Sequence, residues 1–125
     1  MIIGIGTDIV SISRMSDILQ RQGERFARRI LTDTEYLEFE NSHQQAHFLA
    51  KRFAAREAVA KAFGTGFSQG LSLQHIAVSH DEKGKPLVVL FEKAKELKEH
   101  LGINQIHISI ADEKEFAVAY VIMED

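Results

Sequence analysis

FLAKRFAAREAVAKAFGTG, residues 48–66, is rich in alanine and phenylalanine, yet it carries Lys51, Arg52, Arg56, Glu57 and Lys61 along its length. The spacing predicts a long central helix, and Gly64 fits its C-terminal stop. At about 100° per residue, Glu57 and Lys61 fall in the same sector as Ala50, Phe53 and Ala54. No clean polar face separates charged from apolar residues. A helix otherwise suited to burial therefore carries charges that need a reason.

On the N-terminal side, residues 2–10 are apolar and β-branched, interrupted by Gly4 and Gly6. This predicts a first strand whose backbone passes close to another element. Ser11 or Ser13 caps a helix over about 14–22, ERFARRIL after Gly23 is helical, and Thr32 is an N-cap for DTEYLEFEN with Glu35 at the capping-box position. On the C-terminal side, LSLQHIAVSH, the turn DEKGKP and LVVLF read as a hairpin, and residues 91–101 as a charged helix ending at Gly102. Residues 105–111 alternate, with Ile106, Ile108 and Ile110 on one face and His107, Ser109 and Ala111 on the other; the turn DEKE then leads into FAVAYVIM. The expected fold class is α+β. One domain, 1–125, packs its helices with an antiparallel sheet completed by the late hairpin and the first strand.

With 125 residues and 45% hydrophobic content, the chain has material for one core and too little for two. It has no cysteine, which excludes disulfides and thiolate metal sites, and no run approaches the ~18 apolar residues of a membrane span. The opening MIIGIGTDIV lacks the basic start and long apolar stretch of a signal peptide, so a cytoplasmic address is expected. A net charge of −3 argues against a general nucleic-acid binder. The charge is uneven, however: Arg14, Arg21, Arg25, Arg28 and Arg29 face only Asp17 and Glu24 between residues 14 and 31. That excess fits either a solvated helix face or an acidic partner.

Asp8 follows GIGT in a strand expected to be buried, where an isolated carboxylate is costly unless a cation or hydrogen bonds compensate it. Glu57 poses the same problem in the helix. Two carboxylates completed by water and phosphate oxygens are usual equipment for Mg²⁺. The plainer alternative is that Asp8 caps a turn and Glu57 pairs with Lys61 four residues on. GTG at 64–66 follows a helix C-terminus, whereas phosphate cradles precede an N-terminus, and so fits a C-cap. No Gly-Lys-Ser/Thr motif or nucleophile elbow is present.

Taken in order over essentially the whole chain, GIGTDIV, FLAKRFAAREAVAKAFGTG, DEKGKP and HISIADEKEFAVAYVI resemble the holo-acyl-carrier-protein synthases, the small bacterial 4′-phosphopantetheinyl transferases. A lone G-x-D carries little weight; the central motif ending in FGTG is specific. The resemblance implies transfer of the phosphopantetheine arm of coenzyme A to a serine of apo acyl carrier protein, with release of adenosine 3′,5′-bisphosphate, in support of fatty acid biosynthesis. It implies that Asp8 and Glu57 hold Mg²⁺ against the coenzyme A pyrophosphate. It further implies that Lys61 contacts the phosphates, these three residues carrying the catalysis.

By the same resemblance, Arg52 matches a basic residue at the 3′-phosphate of coenzyme A, and Gly64, Thr65, Gly84, Lys85 and Pro86 match loops lining the nucleotide. Arg14, Arg21 and Arg25 match the basic early helix that receives the acidic carrier protein. A homotrimer with active sites between neighbouring subunits is implied as well, with no nucleic acid or membrane partner. Many members have histidine where this chain has Asp112, while a branch shares the acidic residue, so the role of that histidine does not carry over. Two other classes compete: a non-catalytic oligomer binding a nucleotide-like ligand, and a metal-dependent phosphohydrolase, whose two-metal site needs more ligands than Asp8 and Glu57. Binding alone does not need Asp8, Glu57 and Lys61 together, which favours the transferase.

Overall fold

In the computed structural model, which describes residues 1–125, strand β1 (Ile2–Ser11) runs against helix α4 (Gln45–Phe63) at a separation only glycine permits. A Cβ on Gly4 would stand 2.0 Å from the carbonyl oxygen of Ala62, and one on Gly6 2.0 Å from that of Ala58. Glycine on the strand and alanine on the helix thus bring two backbones into contact, as the interrupted β-branched run predicts.

The approach inverts the usual strand pattern. Gly4, Gly6, Asp8 and Val10 alternate toward the helix, while Ile5 and Ile9 on the other face are 58% and 63% exposed. The expectation of a buried first strand therefore holds for one face only. Strand β5 (Phe116–Glu124) repeats the inversion: Ala117, Ala119, Val121 and Met123 are buried, and Phe116, Val118 and Tyr120 are exposed.

β5 lies between β1 and β4 (Gln105–Asp112), antiparallel to both, with Asp8 opposite Ala119 and Ser109 opposite Tyr120. The alternation expected on β4 is observed: Ile106, Ile108 and Ile110 pack on the core and His107, Ser109 and Ala111 are exposed. β2 (Ile76–His80) and β3 (Pro86–Leu90) pair with each other in a separate two-stranded sheet, so the antiparallel layer is divided. The hairpin is shorter than LSLQHIAVSH implied. Ser72 caps a 3₁₀ turn over Leu73–His75, accepting from the Gln74 N–H, while its own N–H donates to His75 Nδ1. This local pairing outcompetes strand extension. At the tip, the Asp81 carboxylate accepts from the N–H groups of Lys83 and Lys85, each at 2.9 Å. Helix α5 (Glu92–His100) follows, burying Ala94 and Leu97.

Before α4 come α1 (Ile12–Gln22), α2 (Glu24–Ile30) and α3 (Asp33–Glu40). Ser11 caps α1, which begins two residues earlier than the sequence reading placed it. The Thr32–Glu35 capping box forms as expected. Its acidic member also works beyond its own helix.

Glu35 is 2% exposed and accepts from Arg56, which is fully buried, from Arg52 Nη1 at 3.1 Å and from the Val78 N–H at 3.0 Å. Arg56 Nε donates to the Leu73 carbonyl, and Arg52 Nη2 to Glu38 at 2.9 Å. Burial alone would raise the Glu35 carboxyl, but the Arg56 guanidinium together with the N–H groups of Thr32 and Val78 outweighs it and holds the group below the usual carboxylate range. Two of the charges on α4 thus tie three elements together. No helix is long and apolar enough to cross a membrane.

Candidate active site

Glu57 and Lys61, further along α4, open onto a cleft beside β1. Asp8, Arg14, Phe53, Glu57 and Lys61 line a cleft of about 470 Å³. Strand alternation aims Asp8 at the helix after the two glycines, and the helical repeat puts Lys61 one turn beyond Glu57. Lys61 does not form the local i,i+4 pair with Glu57. Its Nζ crosses to β1, donating to Asp8 Oδ1 at 3.0 Å and to the Thr7 carbonyl at 2.9 Å.

Asp8 is partly buried, its side chain 17% exposed. Burial raises the Glu57 carboxyl above its ordinary range, the negative charge of Asp8 adds to the rise, and Lys61 offsets it in part. Two carboxylates therefore share one ammonium, and what they lack is positive charge. Oxygen donors of this kind suit a hard divalent cation that takes its remaining ligands from water and phosphate. Asp8 and Glu57 fit that role as a partial ligand set. No cluster of three or more such side chains forms a complete cage.

A second, smaller cleft of about 180 Å³ is lined by Phe48, Lys51, Arg52, Gly84, Pro86 and Asp112. Arg52 arrives there with its guanidinium over the Phe48 ring, 4.4 Å from the centroid, and already shared between Glu35 and Glu38. Asp112 faces it from the end of β4, within 2.9 Å of His47 Nδ1 and 3.9 Å of Lys51 Nζ. The expected nucleotide-lining residues do not all gather here. Gly64 caps α4 in the left-handed region, φ 86°, and bonds back to the Lys61 carbonyl. Thr65 donates to the Gly66 carbonyl, and Lys85 is held by its backbone to Asp81. Gly64, Thr65 and Lys85 lie outside both clefts.

Sequence reasoning missed the partners of Asp112. His47 and Lys51 stand four residues apart on one helix, a spacing that puts them on one face and could have been read. Their meeting with the end of β4 is tertiary and leaves no local signal. Of the basic patch, Arg14 reaches the first cleft, while Arg21 and Arg25 are exposed on α1 and α2. Arg28 lies over the Tyr36 ring at 3.9 Å, which gives that arginine a structural use.

The sequence matches the family model of the 4′-phosphopantetheinyl transferase superfamily over residues 4–121. It is 53% identical over 124 residues to the holo-[acyl-carrier-protein] synthase of Vibrio cholerae serotype O1, covering 99% of this chain and 98% of that protein. The fold is similar to the crystal structure of the Neisseria meningitidis holo-[acyl-carrier-protein] synthase, with a TM-score of 0.93, 43% identity and full coverage of both chains. The Helicobacter pylori synthase, solved in complex with coenzyme A, superposes with a TM-score of 0.84 at 32% identity, covering 96% of this chain and 99% of that one. The cleft between β1 and α4 is thus carried by a chain that belongs to the holo-acyl-carrier-protein synthases of the 4′-phosphopantetheinyl transferase superfamily.

Proposed function

We propose that this protein moves 4′-phosphopantetheine from coenzyme A to a serine of apo acyl carrier protein at the Asp8–Glu57–Lys61 cleft, in a Mg²⁺-dependent reaction that supports fatty acid biosynthesis. The serine hydroxyl gives up its proton to a base or water as its oxygen bonds to the phosphorus that carries the pantetheine arm. The phosphoanhydride bond breaks, and its electron pair leaves with adenosine 3′,5′-bisphosphate. The observation that carries the reading is the shortage of positive charge on Asp8 and Glu57, two carboxylates beside a single half-exposed ammonium at the mouth of a cleft.

Mg²⁺ held by Asp8 and Glu57 would neutralise charge on the pyrophosphate. Lys61 adds a donor where charge grows on the leaving group, the kind of contact that lowers the barrier to phosphoryl transfer. Lys51 and Arg52, beside Gly84 and Pro86 in the second cleft, suit the 3′-phosphate and nucleotide, with Lys85 between those two loop residues and Gly64 and Thr65 on the loop that follows α4. Arg14, Arg21 and Arg25 present an exposed basic surface to an acidic carrier protein, steering encounter more than setting affinity.

A homotrimer with sites between subunits belongs to the same reading, as does a cytoplasmic address. Ile5, Ile9, Phe116, Val118 and Tyr120 form an exposed apolar sheet face, the kind of surface that marks an interaction site. The expected ligand-contacting residues are also spread over two clefts and a loop, which favours completion of each site by a neighbouring copy. The decisive experiment combines the protein with coenzyme A, Mg²⁺ and an apo carrier protein and weighs the carrier by mass spectrometry. A gain of one phosphopantetheine is expected, lost on omitting Mg²⁺; an unchanged carrier mass rejects the reading.

A further inference from the structure

Lys61 is half-exposed and reaches its partners from the end of a long, flexible stem. Its side chain is 52% exposed, and both its bonds go to β1. Arg14, the other strong cation lining the same cleft, is exposed and makes no ion pair there. Asp8 is therefore neutralised by a flexible lysine in the free protein, although a less committed arginine lines the same wall.

A divalent cation that takes the Asp8 carboxylate competes with the ammonium for the same oxygen and repels it. A polyphosphate in the cleft attracts that ammonium away. We infer that Lys61 is an exchangeable counter-ion, which holds Asp8 until the divalent cation arrives and then transfers to the coenzyme A phosphates. The exchange makes ion and coenzyme A each favour the binding of the other, since coupling between two ligands is reciprocal. This rests on the metal and coenzyme A reading above, and it adds a specific carrier of the coupling.

The test uses Mn²⁺ as the probe, its free concentration read by electron paramagnetic resonance, with and without coenzyme A and with no carrier protein, so that nothing turns over. Wild type is compared with Lys61→Met, Arg14→Met and Asp8→Asn. Lys61→Met is expected to bind Mn²⁺ alone roughly 3–10-fold more tightly than wild type, the range for losing one partly exposed charged competitor, and clearly more tightly than Arg14→Met. The factor by which coenzyme A strengthens Mn²⁺ binding should shrink in Lys61→Met and persist in Arg14→Met. Equal effects of the two substitutions would mean diffuse electrostatics and would overturn the exchange while leaving the metal reading intact. Mn²⁺ binding unaffected by Asp8→Asn removes the metal reading, and the exchange with it.

Discussion

Arg56 and Glu57 are neighbours on α4 and belong to opposite electrostatic regimes. Arg56 is fully buried against Glu35, a carboxylate that also collects Arg52, the Val78 N–H and the Thr32 backbone and hydroxyl. There the low dielectric is met by more donors than the charge strictly needs, and the carboxyl is driven down. One residue on, Glu57 and Asp8 share a single half-exposed lysine, and the Glu57 carboxyl is driven up. The first cluster is closed and holds α3, α4 and β2 together. The second is left short of charge at the edge of a cleft. Completeness of pairing, rather than burial or charge alone, separates the two clusters, with Arg52 at the border: it is bound to Glu35 and Glu38 and also lines the second cleft.

The sharpest way to break the closed cluster is Glu35→Gln, which leaves two buried guanidinium groups without their shared anion. Removing one partner of a buried ion pair typically costs about 3–5 kcal/mol, a loss that urea unfolding would show as a lower midpoint at unchanged slope. A midpoint within experimental error of wild type would mean that the hub contributes geometry and little stability.

The open cluster should respond the other way round. Asp8→Asn and Glu57→Gln keep size and remove charge, so phosphopantetheine transfer should fall by at least about 10²–10³-fold, the usual consequence of losing one group that stabilises transition-state charge. Thermal stability without metal should be unchanged or higher, because each substitution relieves carboxylate repulsion. Near-normal turnover at ordinary Mg²⁺ would falsify the catalytic assignment.

The difference between the clusters also marks how far the sequence could be read. Gly4 and Gly6 announced a close backbone approach, the capping box at Thr32–Glu35 was legible from spacing, and the alternation of β4 gave its buried face. These are local patterns, and local patterns survive in one dimension. The inverted faces of β1 and β5 were less visible, since large apolar residues point outward only because α4 presses alanines and glycines together behind them. Glu35 read as a cap and nothing more. Its bonds to Arg52, Arg56 and Val78 span 17, 21 and 43 residues, and no periodicity encodes such pairings. Asp8 and Glu57 stood out as isolated carboxylates, but only the family resemblance gave them and Lys61 a shared role; spacing alone favoured the local Glu57–Lys61 pair, and the structure sends Lys61 to Asp8 instead.

A third regime, full solvation, is represented by Arg14 and Arg21, which make no ion pairs and are exposed. Replacing both with alanine should leave the Michaelis constant for coenzyme A nearly unchanged and raise that for the carrier protein by about 3–10-fold, an effect that salt reduces in the wild type. Equal losses for both substrates would mean that these arginines serve the coenzyme A phosphates and not carrier-protein docking.

The smallest expected effect is the most direct comparison of the two carboxylates, because it concerns stability against pH. Glu57 has a folded-state pKa above its unfolded value, through burial first and Asp8 second. The folded protein therefore holds the Glu57 proton more tightly than the unfolded chain does. Stability from this group is present below the ordinary glutamate range and is lost as pH rises through the folded value. Glu35 has the opposite sign: its contribution is present above the ordinary range and is lost as pH falls through its depressed folded value. Glu57→Gln should accordingly be more stable than wild type at neutral pH, and the advantage should vanish in acid, where wild-type Glu57 is protonated in both states. Glu57 is only half-buried, so solvent screening keeps the difference within about 1 kcal/mol. Adding Mg²⁺ with coenzyme A should then reverse the order, because ligands that bind only the folded state stabilise the wild type and find one carboxylate fewer in the variant. Melting curves at neutral and acidic pH, with and without those ligands, would show the crossing. Parallel curves under all four conditions would mean that Glu57 is compensated in the free protein after all and takes no part in holding the ligands.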